Sequence, residues 1–288
     1  MTSRLQVRRL SLAIVIVAFA AMRAPCQVTT TPTADETREI AAIATVPGAP
    51  EKQTLTNSVE IGSSYFNLTD GFGPWNGGYA RGIITSGNDT FNGEIAEQHE
   101  FGDSGTYFAA GDSHNFGANS FASLTFGSSA GAFFLPRFRG DAFVSRKWMS
   151  RKQLITTVGF GYYEAKDPHR DHSFFVGTTY YFDKPWILES GVRFNVSHPG
   201  NVFSPSGFLA ITQGKNKQHY VVLRLGYGEE AYQLIGPTSL LSDFRSQTAT
   251  ITWRKWMGRN WGINWVADSY VNPYYKRVGS TLGVFKEF

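Results

Sequence analysis

Residues 187–196 read ILESGVRFNV. Leu188, Ser190, Val192, Phe194 and Val196 share one side of an extended chain, and Glu189, Gly191, Arg193 and Asn195 share the other. Successive side chains of a strand point to opposite faces, so this stretch predicts a strand with one apolar and one polar face. The pattern recurs in both directions along the chain. Leu154, Thr156, Val158, Phe160 and Tyr162 form one face upstream; downstream, Val221, Leu223, Leu225 and Tyr227 oppose Arg224. Trp261, Ile263, Trp265 and Ala267 oppose Asn264 and Asp268, and Val278, Leu282 and Val284 oppose Arg277 and Thr281. Each run is about 10 residues, the length a tilted strand needs to cross a bilayer and longer than the ~5–6 usual in soluble sheets.

Working outward, the alternation gives fourteen candidate strands: 58–67, 77–86, 90–101, 105–115, 119–128, 137–147, 152–163, 172–182, 187–197, 203–213, 217–227, 245–256, 260–271 and 276–287. Twelve is the alternative, because the first, second, fourth and fifth alternate weakly. Short links (86–89, 117–119, 148–151, 183–186, 214–216, 257–260) alternate with a second set. That set contains longer segments at 68–76, 129–136, 164–171, 198–202 and 228–244, and two short ones at 102–104 and 272–275. Short turns at one end and longer loops at the other predict an outer-membrane barrel with its turns in the periplasm. Trp148, Trp186, Trp256 and Trp261 fall at the turn end; Tyr162, Tyr227 and Tyr270, with Tyr274 and Tyr275, fall at the loop end. Rings at both edges of an apolar band are the expected interfacial girdles. Hydrocarbon offers no hydrogen bonds to a free sheet edge, so such strands must close on themselves. The fold class expected is all-β: a transmembrane antiparallel up-and-down β-barrel. A secreted β-sandwich or lipocalin-like barrel would explain the alternation, but not the strand length, the uneven links or the two aromatic ends.

Composition agrees with this class. The chain has 288 residues, 15% aromatic and 17% charged, with 1 Cys. It is too aromatic for a disordered chain, and a single Cys26 excludes a disulfide framework or a Cys-based metal cluster. Arg4, Arg8 and Arg9 precede the apolar run LSLAIVIVAFAAM (10–22), in which Ala18-Phe19-Ala20 offers a cleavage site. The run is too short to span a bilayer, so residues 1–26 are read as a signal peptide for Sec export, with cleavage there or near Cys26. Pro25 disfavours lipid attachment at Cys26. Residues 27–56 read as a flexible periplasmic linker, and 57–288 as the barrel. Of 27 basic residues, Arg4, Arg8, Arg9 and Arg23 leave with the first segment, so 23 face 23 acidic ones, which argues against a nucleic-acid partner.

The stretches LPRFRGDAFVSRKW (135–148), YYFDKPWILESGVRFNVSHPGNV (180–202), GYGEEAYQLIG (226–236) and ITWRKWMGRNWGINWVADSYVNPYYKRVGSTLGVFKEF (251–288) resemble the YaiO family of outer-membrane β-barrel proteins. The resemblance extends over roughly 57–288. It implies a barrel in the outer membrane of a Gram-negative bacterium and no settled reaction, cofactor or ligand. Some relatives join the barrel to helical repeats and look connected with surface polysaccharide; the segment before this barrel is too short for a repeat array. Gly283 and the terminal Phe288 resemble the signal read by the outer-membrane assembly machinery, with Lys286 standing where that signal usually has an apolar side chain.

Four groups of residues are candidates for function. Glu60, Arg81, Glu94, Arg139, Asp141, Glu189, Arg193, Arg224, Arg254, Asp268 and Arg277 fall on the polar face. They predict a charged lumen for a polar solute, or paired charges that brace the barrel. Asp167, His169, Asp171 and His172 share one loop and could hold a divalent ion, but a solvated loop explains them more simply. Ser197-His198 near Ser204 is the one plausible nucleophile-base pair, yet neighbours in a strand point apart. No catalytic residue, metal ligand or cofactor is therefore expected. Finally, 228–244 is the longest predicted loop and is rich in Leu and Ile; packing at the mouth is the preferred reading, and a constriction in the lumen or a partner contact the rival. The expected role is a passive pore or surface component for polar solutes or polysaccharide. A structural barrel without a path, and then a lipid-modifying enzyme, are the alternatives. Outer-membrane lipid and lipopolysaccharide are expected partners.

Overall fold

The computed structural model describes residues 57–183 and 185–288. The signal peptide and linker read over 1–56 lie outside the described residues. Fourteen antiparallel strands follow in chain order: β1 Ser58–Leu68, β2 Trp75–Ser86, β3 Asp89–Glu100, β4 Asp103–Asn115, β5 Ser120–Gly131, β6 Phe138–Trp148 and β7 Leu154–Glu164; then β8 Arg170–Tyr181, β9 Trp186–His198, β10 Val202–Lys215, β11 His219–Leu234, β12 Leu240–Trp256, β13 Trp261–Val271 and β14 Lys276–Glu287. Each pairs with its sequence neighbours, and β1 closes on β14 from Ser58↔Glu287 to Leu68↔Arg277. Closure satisfies the backbone around the whole wall, the requirement that lipid imposes on a sheet. The weakly alternating early strands sit in this ladder like the others, so the twelve-strand alternative is excluded.

Burial fixes which face is which. In β1, Val59 and Ile61 are 46% and 61% exposed while Glu60 between them is 5% exposed. The same inversion runs round the wall: large apolar side chains such as Phe91, Val144, Phe160, Leu225 and Val284 are exposed, and Asp141, Arg224, Asp268 and Arg277 are buried. A soluble sheet would place them the other way about. Outside faces lipid; the inner face carries the charges, with rings such as Phe175, Phe208 and Phe285 packed against its arginines.

Two features differ from the sequence reading. The predicted difference between short turns and long loops is carried by strand length rather than by loop length. β10, β11 and β12 run to 14, 16 and 17 residues against 11 in β1, β6, β7 and β13. Most of the predicted loop 228–244 is therefore a paired hairpin, Glu229↔Arg245 to Leu234↔Leu240, with only 235–239 left as its turn.

Close packing inside the wall explains one pair of glycines. Gly62 and Gly283 oppose each other in the β1–β14 ladder. A Cβ on either would fall 2.6 Å or 2.4 Å from the Tyr79 hydroxyl oxygen, so their bareness makes the cradle in which that ring lies. Tyr79 in turn donates to Glu60 at 2.7 Å. Gly283 thus has a packing role inside the barrel. Phe288 is 68% exposed at the rim, its N–H bonded to the Asn57 carbonyl.

Candidate functional site

The inward faces gather the charges in groups. At the turn end, Glu60 accepts from Arg81 (2.6 Å), Arg254 (3.1 Å) and Asn264 (3.2 Å) as well as Tyr79. Glu94 stands beside Arg81 in the β2–β3 register. Further along, Arg139 meets Asp141 at 2.5 Å, Arg193 donates to Ser173 at 2.7 Å, and Arg224 lies with its guanidinium 3.5 Å from the Phe208 ring centre. Near the loop end Arg277 pairs with Asp268 at 2.8 Å. Glu189 also faces inward, opposite Ala210 and Thr179. All eleven residues read from sequence as interior thus share the inner face, and most are held in pairs. Between these groups the wall carries Ser64, Thr125, Thr157, Ser206 and Thr281, all half-buried.

The aromatic assignments separate. Trp148, Trp186, Trp261, Tyr162 and Tyr227 lie on the outer face. Trp256 and Tyr270 do not belong to a girdle: they point inward, 8% and 1% exposed, and Tyr275 of the last connection, also read as a girdle ring, is buried as well. Trp256 donates to Glu287, and Tyr270 donates to Glu230 at 2.8 Å. Position along the strand had placed both at an interface; their parity puts them inside.

The other two groups are also taken apart by parity. Ser197 and Ser204 face inward, 1% and 2% exposed, while His198 faces outward. His169 meets Asp167 at 2.5 Å inside the mouth, but His172 lies on the outer surface 5.4 Å from the His198 ring. Neither a nucleophile-base pair nor a four-ligand metal set is assembled.

What the strands do assemble is a cover over the loop end. Phe72 and Tyr275 from two connections, Trp75 from the start of β2 and Phe101 after β3 pack with ring centres 4.8–6.5 Å apart. Phe133 continues this layer at 6.5 Å from Phe101, and Ala132, Phe134 and Leu135 fold inward onto Tyr107 of β4. Arg277 lies beneath, its guanidinium 5.0 Å from the Trp75 ring and 5.2 Å from Tyr270.

The β11–β12 hairpin, next in the wall to the β13–β14 connection that carries Tyr275, extends this cover. Gln233, 1% exposed, lies within 2.6 Å (Nε2) and 2.9 Å (Oε1) of the Tyr275 hydroxyl. Burial pushes that hydroxyl above its usual range, with Arg277 pulling the other way, so this contact joins neutral groups. One residue earlier, the Tyr232 ring packs against His169, tilted by 31° with ring centres 3.7 Å apart. β9 and β10 lie between β8 and β11 in the wall, so the Tyr232–His169 contact ties the hairpin to the β7–β8 connection across the inner side of two strands. Sequence reasoning did not single out Tyr232, Gln233, Trp75 or Phe101. The detectable signal was Gly236-Pro237, a turn marker with strand-like sequence on both sides.

The fold and its inside-out polarity define the class: a closed fourteen-stranded membrane β-barrel of the Gram-negative outer membrane. The chain belongs to the YaiO membrane beta barrel domain family, whose profile matches residues 56–233. No curated protein matches the sequence. Among solved structures, the barrel is similar to the CymD monoaromatic hydrocarbon channel (TM-score 0.57, 6% identity, covering 81% of this chain and 88% of that one). It is also similar to the TodX deltaS2S3 mutant monoaromatic hydrocarbon channel (TM-score 0.56, 9% identity, 91% and 96%) and to the Pseudomonas putida toluene transporter TodX (TM-score 0.50, 11% identity, 91% and 96%). At these identities the likeness concerns the fold alone.

Proposed function

We propose that this protein is a non-enzymatic, gated pore for small polar solutes, exported by its N-terminal signal and closed at its outer mouth by the β11–β12 hairpin. The observation that carries the reading is the burial of Tyr232 and Gln233 in contacts with His169 and Tyr275, above an interior lined by hydroxyls. Hydroxyls and ion pairs suit a hydrated solute better than a hydrocarbon. The cover also has features of a closure that can open. Tyr232 Oη and Trp75 Nε1 are buried in it without a protein partner, so closing forgoes hydrogen bonds that water supplies to an open mouth.

A second reading rests on the paired interior charges: a braced barrel with no path. Planar-bilayer recordings separate the two. The wild type is expected to give brief, rare openings. Tyr232→Ala with Gln233→Ala should raise the ratio of open to closed time at least about tenfold, the equivalent of removing ~1.4 kcal/mol from the closed state. Silence in both proteins would contradict the pore and favour the braced barrel.

A further inference from the structure

The outer surface at the loop end of β7, β8 and β9 carries groups that neither the lumen nor the cover uses. His172 and His198 project from the wall there, their rings 5.4 Å apart and edge-on. The His172 ring lies 5.2 Å from Tyr162 and 6.3 Å from Phe160. Arg170, exposed, stands opposite His198 in one ladder and opposite Glu164 in the other. Glu164 is already engaged, by Arg137 at 3.2 Å and by the Tyr162 hydroxyl at 3.3 Å. The patch therefore offers a guanidinium and two imidazoles with one carboxylate beside them, itself matched by a second guanidinium.

The same face is apolar beside and below these groups: Phe203 lies level with His172 in the register, Phe160, Phe174 and Val176 lie toward mid-membrane, and all are exposed. Both chain ends of the barrel lie at the turn end, so this patch lies at the opposite, outward-facing edge. A guanidinium with two imidazoles directly above an aromatic stripe matches a molecule with an anionic head and long acyl chains. A guanidinium holds phosphate through paired, charge-assisted hydrogen bonds.

We propose that Arg170, His172 and His198 form a binding site for the phosphorylated headgroup of an outer-leaflet glycolipid, whose acyl chains lie along Phe160, Phe174 and Phe203. The site is independent of the pore reading, since it lies on the other side of the wall. It commits the occupant to lipid rather than to free phosphate, because the apolar stripe would be irrelevant to a soluble anion.

Native mass spectrometry of the detergent-solubilised full barrel tests this with bis-phosphorylated lipid A, its dephosphorylated counterpart and inorganic phosphate. The wild type should bind the phosphorylated lipid at least about tenfold more tightly than the dephosphorylated one. Arg170→Gln with His172→Asn and His198→Asn should erase that difference, while its electrophoretic mobility still shifts on heating, as a folded barrel's does. If the triple variant does not fold, His172→Asn alone should still lower the ratio. Equal binding of the two lipids by the wild type overturns the proposal, as does an unchanged ratio in a folded variant. Competition by inorganic phosphate as effective as that of the whole lipid would also overturn it, by making this a soluble-anion site.

Discussion

Arg277→Ala is expected to destabilise the barrel by about 3–5 kcal/mol, because it leaves a buried carboxylate without its cation. The side chains of Arg277 and Asp268 are 5% and 3% exposed, and the hydroxyl of Thr250, 3.1 Å from Asp268, is a weak substitute for a guanidinium. Arg277 also lies against Phe66, Trp75 and Tyr270, so the substitution removes packing beneath the cover as well as charge. Urea unfolding in lipid vesicles, followed by tryptophan fluorescence, should show the loss as a lower midpoint. Arg277→Lys should recover only part of it, since an ammonium cannot present the planar fork that the site surrounds. An unchanged midpoint in the alanine variant would mean that this pair does not support the mouth.

At the opposite end, Glu60→Ala should also destabilise the barrel, for the converse reason. It removes the common acceptor of Tyr79, Arg81, Arg254 and Asn264, and leaves two guanidinium groups with no carboxylate between them. Both guanidinium groups are a quarter exposed and Arg81 keeps Glu94 beside it, so the loss should be smaller than at Arg277, about 1–3 kcal/mol. Glu60→Gln, which keeps an acceptor but not the charge, should fall between wild type and alanine. The double variant Glu60→Ala, Arg81→Ala should be less destabilised than the sum of its parts by on the order of 1 kcal/mol or more, the mark of direct coupling. Strict additivity would show that the two groups do not sense each other.

The wall was readable from the sequence because lipid imposes a rule on every outward position. The run 187–196 is enough to see it: Val192 and Phe194 meet hydrocarbon, and Glu189 and Arg193 cannot. Parity alone placed Glu60, Asp141, Asp268 and Arg277 inside, and it set Ser197 apart from His198. Where height along a strand was given precedence over parity, the reading failed. Trp256 and Tyr270 sit at the right levels for girdles, yet their even numbers share the inner face with Arg254 and Asp268.

The cover was less legible, and the reason is physical. Above the lipid, the outer face of a strand no longer meets hydrocarbon, so the apolar-polar contrast that marks each face disappears. Across 228–234 both sides of β11 are largely buried, including Glu230, Ala231, Tyr232 and Gln233, and no alternation remains to reveal the strand. Contacts such as Gln233–Tyr275 and Tyr232–His169 join distant segments through side chains that local pattern does not constrain. The density of Leu and Ile in 228–244 signalled that the segment packs, but not what it packs against.

The account turns on an outer mouth shut by the hairpin above a polar interior, and external thiol labelling examines this most directly. In a chain with Cys26 replaced by serine, Thr281→Cys puts a thiol on the inner wall and Ser239→Cys puts one on the exposed hairpin turn. Intact cells treated with a membrane-impermeant maleimide should label position 239 fully and position 281 hardly at all. Tyr232→Ala with Gln233→Ala should expose position 281. Rapid labelling of position 281 with the hairpin intact would show the mouth to be open and would contradict the account.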